Sequence, residues 1–215
     1  MENLISSAIR ICDLAGNQKG RTIPSNLFEI CSGVAFLHTS ELALLAMAHT
    51  GKGLIVRRNL ETKKWSPPCA ISAGGAGFGF AVGAGATDYI LIFVDDSAIR
   101  HLSDKRDVTL GSNFGVKAGP IQGKDHARLD SAGLIYSYGM NKGVFAGLGM
   151  EGGVIRVKDK KNEEFYKSGT SAHDILFKEG SVDLPRETSI HYLYERIDSM
   201  FQRSSEYDIG EHSLT

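Results

Sequence analysis

Three features of the sequence predict an α+β fold. Apolar residues recur at helical spacing at both ends of the chain, and short β-type apolar runs punctuated by glycine fill the middle. Glycine accounts for 25 of 215 residues, about 12% where about 7% is usual. The expected architecture is a glycine-rich, mainly antiparallel, curved or barrel-like β-sheet packed with an N-terminal amphipathic helix, short helices and a C-terminal helix. A chain of this length buries about 70% of its unfolded surface around one core. One domain over residues 1–203 is therefore expected, with a polar, disordered tail over 204–215.

Leu4, Ile5, Ala8, Ile9 and Cys12 form the apolar stripe of the first helix, with Glu2, Ser6, Ser7, Arg10 and Asp13 on its other faces. The helix is expected to end near Gly16 and Asn17. Pro24, whose fixed φ suits a first helical turn, opens a second short helix running to about Cys31. From Gly33 to Ile99 the texture becomes strand-like, as in Gly53–Val56 and Tyr89–Val94. Gly75–Gly85 reads as one strand with Ala76, Phe78, Phe80, Val82 and Ala84 on one face. Its other face is almost pure glycine, which predicts close packing of another layer against it. A short helix is expected at Ser97–Leu102, then strands at Val108–Lys117 and Ala132–Tyr138. Gly143–Met150 and Val154–Val157 read as a hairpin turning at Glu151-Gly152-Gly153, which makes the sheet a meander. Asn162–Lys167 and Ser171–Phe177 are helical pieces, and Glu187–Phe201 is a longer helix striped by Ile190, Leu193, Tyr194, Ile197, Met200 and Phe201.

A net charge of -1 from 24 basic and 25 acidic residues excludes a strongly basic nucleic-acid module. Cys12, Cys31 and Cys69 lack CxxC spacing and read as small buried hydrophobes of a cytoplasmic protein. No secretory signal precedes the first helix, and six glycines dilute the long uncharged stretch from Pro67 to Thr87 too far for a membrane span. Gly147–Gly152 matches GxGxxG, but strand formers follow it where a dinucleotide site needs a helix. There is no GxxxxGK[ST] loop, GxSxG elbow or HExxH helix, and the seven histidines are scattered singly. No catalytic residues, metal ligands or cofactors are assigned.

Several separated segments together resemble the SYLF domain. These are Ile23-Pro24, Gly51-Lys52-Gly53 with Arg58, Lys64-Trp65-Ser66-Pro67, the glycine strand around Gly75–Gly79, and Gly119-Pro120. Tyr138 with Lys142–Gly147 and Glu151-Gly152, then Phe165-Tyr166 and Asp174-Ile175-Leu176, extend the match over about residues 5–178. The resemblance implies a non-catalytic module that associates with phosphoinositide-containing membranes, with actin filaments as a further partner in some members. It places the protein in the cytoplasm, peripherally on plasma or endosomal membranes, at the junction with actin, endocytosis and membrane trafficking. In the family, lipid binding is attributed largely to a lysine-rich first helix. Here that helix carries only Arg10.

The candidate lipid-binding residues are accordingly Leu4, Ile5, Ile9 and Arg10 on the first helix, with Lys52, Arg57, Arg58, Lys63 and Lys64 bracketing a hairpin. Arg156, Lys158, Lys160 and Lys161 form an alternative basic cluster. Two or three convergent cations would suit a phosphoinositide headgroup. The same lysines suit a solvated sheet edge, and the apolar stripe of the helix equally suits core packing. An actin-binding or other protein-interaction module without lipid recognition is the alternative function, and a lipid-tail carrier with a glycine-faced wall is a third.

Overall fold

The computed structural model describes residues 1–17, 23–43, 46–78, 83–104, 107–110, 116–118, 135–141, 144–145, 153–185 and 189–211. Its elements run α1 (Glu2–Gly16), α2 (Ser25–Ile30), β1 (Gly33–Ala43), β2 (Ala46–Arg57), β3 (Cys69–Phe78) and β4 (Gly83–Phe93). Next come α3 (Ser97–Ser103), β5 (Val108–Thr109), β6 (Val116–Ala118), β7 (Ile135–Asn141), β8 (Val144–Phe145) and β9 (Val154–Val157). The chain then turns helical through α4 (Asp159–Phe165), α5 (Ala172–Phe177) and α6 (Ile190–Glu211).

Nine described strands form one curled sheet in the order β5-β9-β3-β2-β1-β4-β7-β6, with β8 paired to β7. All pairings are antiparallel except β6 with β7. The expected antiparallel, curved α+β class is thus present, but the sheet is not a meander. The central order β3-β2-β1-β4 returns the fourth strand beside the first, which is a Greek key. The expected hairpin of residues 143–157 is also replaced, because β8 pairs with β7 while β9 inserts between β3 and β5. Turn residues specify a local reversal and carry no information about which distant edge the next strand takes.

Two-residue periodicity divides the sheet into two buried faces. Val34, Phe36, Leu54, Val56, Ile90, Ile92, Tyr136 and Tyr138 pack beneath α1, α2 and α6. Ala35, Leu37, Ile55, Ile71, Leu91, Phe93, Ile135 and Ile155 pack beneath α3 and α5 on the other side. The molecule is therefore a helix–sheet–helix sandwich. α1 contributes Leu4, Ile5, Ala8, Ile11, Cys12 and Ala15 to the first face, and α5 starts on a capping box in which Ser171 and Asp174 satisfy each other's backbone N–H.

The stretch expected as one glycine strand is divided between β3, which ends at Phe78, and β4, which starts at Gly83. Residues 79–82 lie outside the described residues, and alternation without a distinct turn residue conceals the break. Close packing does not hold at Gly85, where an added Cβ meets nothing within 4 Å among the described residues. It holds instead at Gly53, where a Cβ would approach the Phe36 carbonyl oxygen to 1.8 Å. The backbone of α6 continues as helix to Glu211, through much of the tail expected to be disordered. Residues 212–215, and the GxGxxG segment 147–152, lie outside the described residues.

Candidate functional site

The segment Lys64-Trp65-Ser66-Pro67 closes the connection between β2 and β3. Asn59 Oδ1 accepts from the backbone N–H groups of Glu61 and Thr62 at 2.9 and 3.2 Å, and Lys63 takes a left-handed φ of 59°. Two helices then hold the returning segment. The Trp65 indole N–H donates to Asp198 Oδ1 at 3.0 Å, and the Tyr194 hydroxyl donates to the Ser66 carbonyl at 2.8 Å. From α4, the Tyr166 hydroxyl donates to the Pro68 carbonyl at 2.7 Å, and the fully buried Asn162 accepts from the Ala70 N–H at 2.7 Å. The motif is thus a structural joint between sheet, α4 and α6.

Consecutive residues of a strand point to opposite faces, so Arg57 and Arg58 separate. Arg57 forks onto Asp96 at 3.0 and 2.7 Å and lies 4.5 Å over the Phe177 ring. Arg100 sits 4.6 Å over the same ring and also reaches Asp96, at 3.4 Å. Arg58, only 7% exposed, lies 3.7 Å over the Phe28 ring and 5.7 Å from that of Trp65. It donates to the Phe28 carbonyl, while its Nε has no hydrogen-bond partner among the described residues. Lys64 pairs with Glu179 at 3.1 Å, and Lys52 and Lys63 are exposed. The first predicted cluster therefore does not converge.

A groove of about 90 Å³ does lie beside it, lined by Arg57, Lys64, Trp65, Pro67, Phe177 and Glu179 among others. Each cation named in it is matched by a carboxylate, Arg57 by Asp96 and Lys64 by Glu179. In the alternative cluster, Arg156 forks onto Asp107 at 2.7 to 2.9 Å. Lys158 and Lys160 are exposed, while Lys161 is half-buried. Burial, with the charge of Lys161 adding to it, holds the Met1 amino group below its ordinary pKa.

On α1, Leu4 and Ile5 are buried and Ile9 packs at the edge of the same core. Arg10 donates two hydrogen bonds to Asp88, at 2.8 and 2.9 Å, and His38 Nδ1 lies 2.7 Å from the same carboxylate. Burial raises the pKa of Asp88, but the hydrogen bonds from Arg10 and His38 outweigh it and hold the group below its ordinary value. Burial pushes the Cys31 and Cys69 thiols up to about 12 and raises Cys12 as well. None is a thiolate at neutral pH. Among the described residues no group of three or more His, Cys, Asp or Glu side chains could hold a metal ion.

Strand register joins residues that the sequence keeps apart. Asp88 faces His38, His38 faces Lys52, Lys52 faces Ser72, and Ser72 faces Arg156. Directly paired residues share a face, so this row lies on the α1 side of the sheet and meets Arg10 at Asp88. It brings together Arg10, Lys52 and Arg156, one from each predicted group. His38, Asp88 and Ser72 were not foreseen, because only the long-range register reveals them.

The described residues thus combine a curled sheet, a helix docked on one of its faces and surface cations. The family model described as Ysc84, Las17-binding protein actin regulator, matches residues 74–200. Human SH3 domain-containing YSC84-like protein 1 is 32% identical over 190 residues, covering 87% of this chain and 54% of that protein. Protein YSC84 of Saccharomyces cerevisiae is 32% identical over 169 residues, 77% of this chain and 36% of its own. LAS seventeen-binding protein 3 of the same yeast is 34% identical over 160 residues, 73% and 35% of the two chains. The chain belongs to the Ysc84 (SYLF) family. It spans about half the length of the human relative and about a third of the yeast ones. No solved structure matches it.

Proposed function

We propose that the chain is a non-catalytic, cytoplasmic peripheral membrane module that binds phosphoinositides or other anionic lipids and links membranes to actin or trafficking machinery. Membership of a family described as actin regulators carries the actin side of this reading. Relatives named for YSC84 and for binding LAS seventeen point the same way. The lipid side is supported by Lys52, Lys158 and Lys160, which are exposed and make no ion pair with another described residue. Each such cation contributes about 1 kcal/mol near an anionic surface. Insertion of Leu4, Ile5 and Ile9 would require α1 to leave the sheet, so with α1 docked the exposed cations make the contact. No described helix is long and apolar enough to cross a membrane.

A protein-interaction module without lipid recognition is the second reading, favoured by the groove beside Trp65 with its paired charges of both signs. Parallel cosedimentation with phosphoinositide vesicles and with lipid-free actin filaments separates the two. Sedimentation with vesicles is the expected result. Sedimentation with filaments alone would replace the first reading with the second.

A further inference from the structure

Where the sheet emerges from beneath α1, the row Asp88–His38–Lys52–Ser72–Arg156 is bordered by a second row on the same face. The register there runs Ala86, Ser40, Thr50, Gly74, Val154. Ala86, Ser40 and Thr50 are exposed. Small side chains leave a shallow ledge beside the cations, and three hydroxyls, Ser40, Thr50 and Ser72, border or line it. From His38 on β1 to Arg156 on β9 the row crosses three strand spacings, about 14 Å.

Charge is arranged unevenly along this row. Asp88 engages Arg10 and His38 at one end, and Asp107 engages Arg156 at the other. Lys52, exposed between them, makes no ion pair with another described residue. A phosphate group placed on the ledge would meet the Lys52 ammonium and hydroxyl donors together. A phosphomonoester presents three acceptor oxygens and a charge of about -2 to the ammonium and the neighbouring hydroxyls, whereas a carboxylate presents two oxygens and a single charge. We infer that this cross-strand ledge centred on Lys52 is the site at which the protein takes the phosphorylated headgroups of an anionic membrane. The inference rests on the lipid reading above and gives it a location on the sheet, apart from the apolar stripe of the first helix and from the β2–β3 loop.

The test is cosedimentation of the full chain with phosphatidylcholine vesicles carrying phosphatidylinositol bisphosphate, against phosphatidylserine vesicles of equal charge. Lys52→Glu should weaken binding to the bisphosphate vesicles about tenfold or more, given the contribution of each surface cation. The double variant Thr50→Ala, Ser72→Ala should reduce selectivity over phosphatidylserine without reversing any charge. Lys167→Glu, an exposed reversal after α4, should stay within about twofold of wild type. Selective wild-type binding that Lys52→Glu leaves intact would overturn the site while the lipid reading survives. Equal losses in Lys52→Glu and Lys167→Glu, or equal binding to both vesicle types, would also overturn it. Absence of wild-type binding to any vesicle would remove the lipid reading and the site with it.

Discussion

Arg58 is a buried guanidinium whose charge is met by aromatic faces rather than by a carboxylate among the described residues. Arginine suits this position because its plane stacks and is weakly hydrated, whereas a lysine ammonium is compact and strongly hydrated. Arg58→Lys is therefore expected to lower unfolding free energy by about 2 kcal/mol in urea titration, and Arg58→Met by less. A fully stable Lys variant would contradict the stacking account. The sequence marked Arg58 as a member of a lipid cluster, and a surface role and a buried role were indistinguishable there. What settles its place is Phe28, thirty residues earlier.

Asp88 makes a second prediction at the same scale. Its folded pKa lies below the ordinary carboxylate value, so its stabilising contribution is fully present above the unfolded value of about 3.9 and is lost as pH falls through the folded pKa. Asp88→Asn should cost about 1 to 2 kcal/mol at pH 7, discounted for the half-exposed Arg10, and progressively less as pH falls below about 4. Urea melts of both proteins across that range check it. A penalty independent of pH would mean that charge is not what Arg10 and His38 recognise.

At the scale of elements, the β1–β2 hairpin decides how much the glycine signal was worth. The glycine excess was legible as a sign of close packing, but its location was not. Gly53, inside a family motif, lies where the curled strands press a backbone carbonyl against it. Gly85, inside the conspicuous glycine run, is open. Gly53→Ala should lower the melting temperature severely or prevent folding, while Gly85→Ala should be neutral or stabilise by about 0.5 to 1 kcal/mol. Thermal denaturation of the two variants compares them directly. α1 shows the complementary case, in which helical periodicity alone located the helix and its stripe. Periodicity could not say whether that stripe met lipid or core, because both partners are apolar; the docked state is defined by α6 and the sheet face beneath it.

For the whole molecule, the helices flanking the sheet and the short apolar strands were readable because each is a local pattern of period 3.6 or 2. The Greek key was not, since β4 returns to β1 across some forty to sixty residues of chain, just as β9 finds β3 across some eighty, and no local signal encodes either pairing. The candidate site shares this property. Its members come from α1, β4, β1, β2, β3 and β9, and the sequence supplied Arg10, Lys52 and Arg156 as three unrelated groups. A function carried by such a cross-strand row depends on the sheet staying intact under a docked helix. Under the proposed function, the folded sandwich therefore presents its exposed row to the membrane without releasing α1.

Hydrogen exchange of the full chain, with and without phosphatidylinositol bisphosphate vesicles, distinguishes a docked from a released α1. Amides of residues 4–15 are expected to keep their slow exchange on the vesicles while protection rises around residues 38–40, 50–53 and 72–74. Loss of protection across α1 on vesicle binding, with no gain along the row, would contradict the docked presentation.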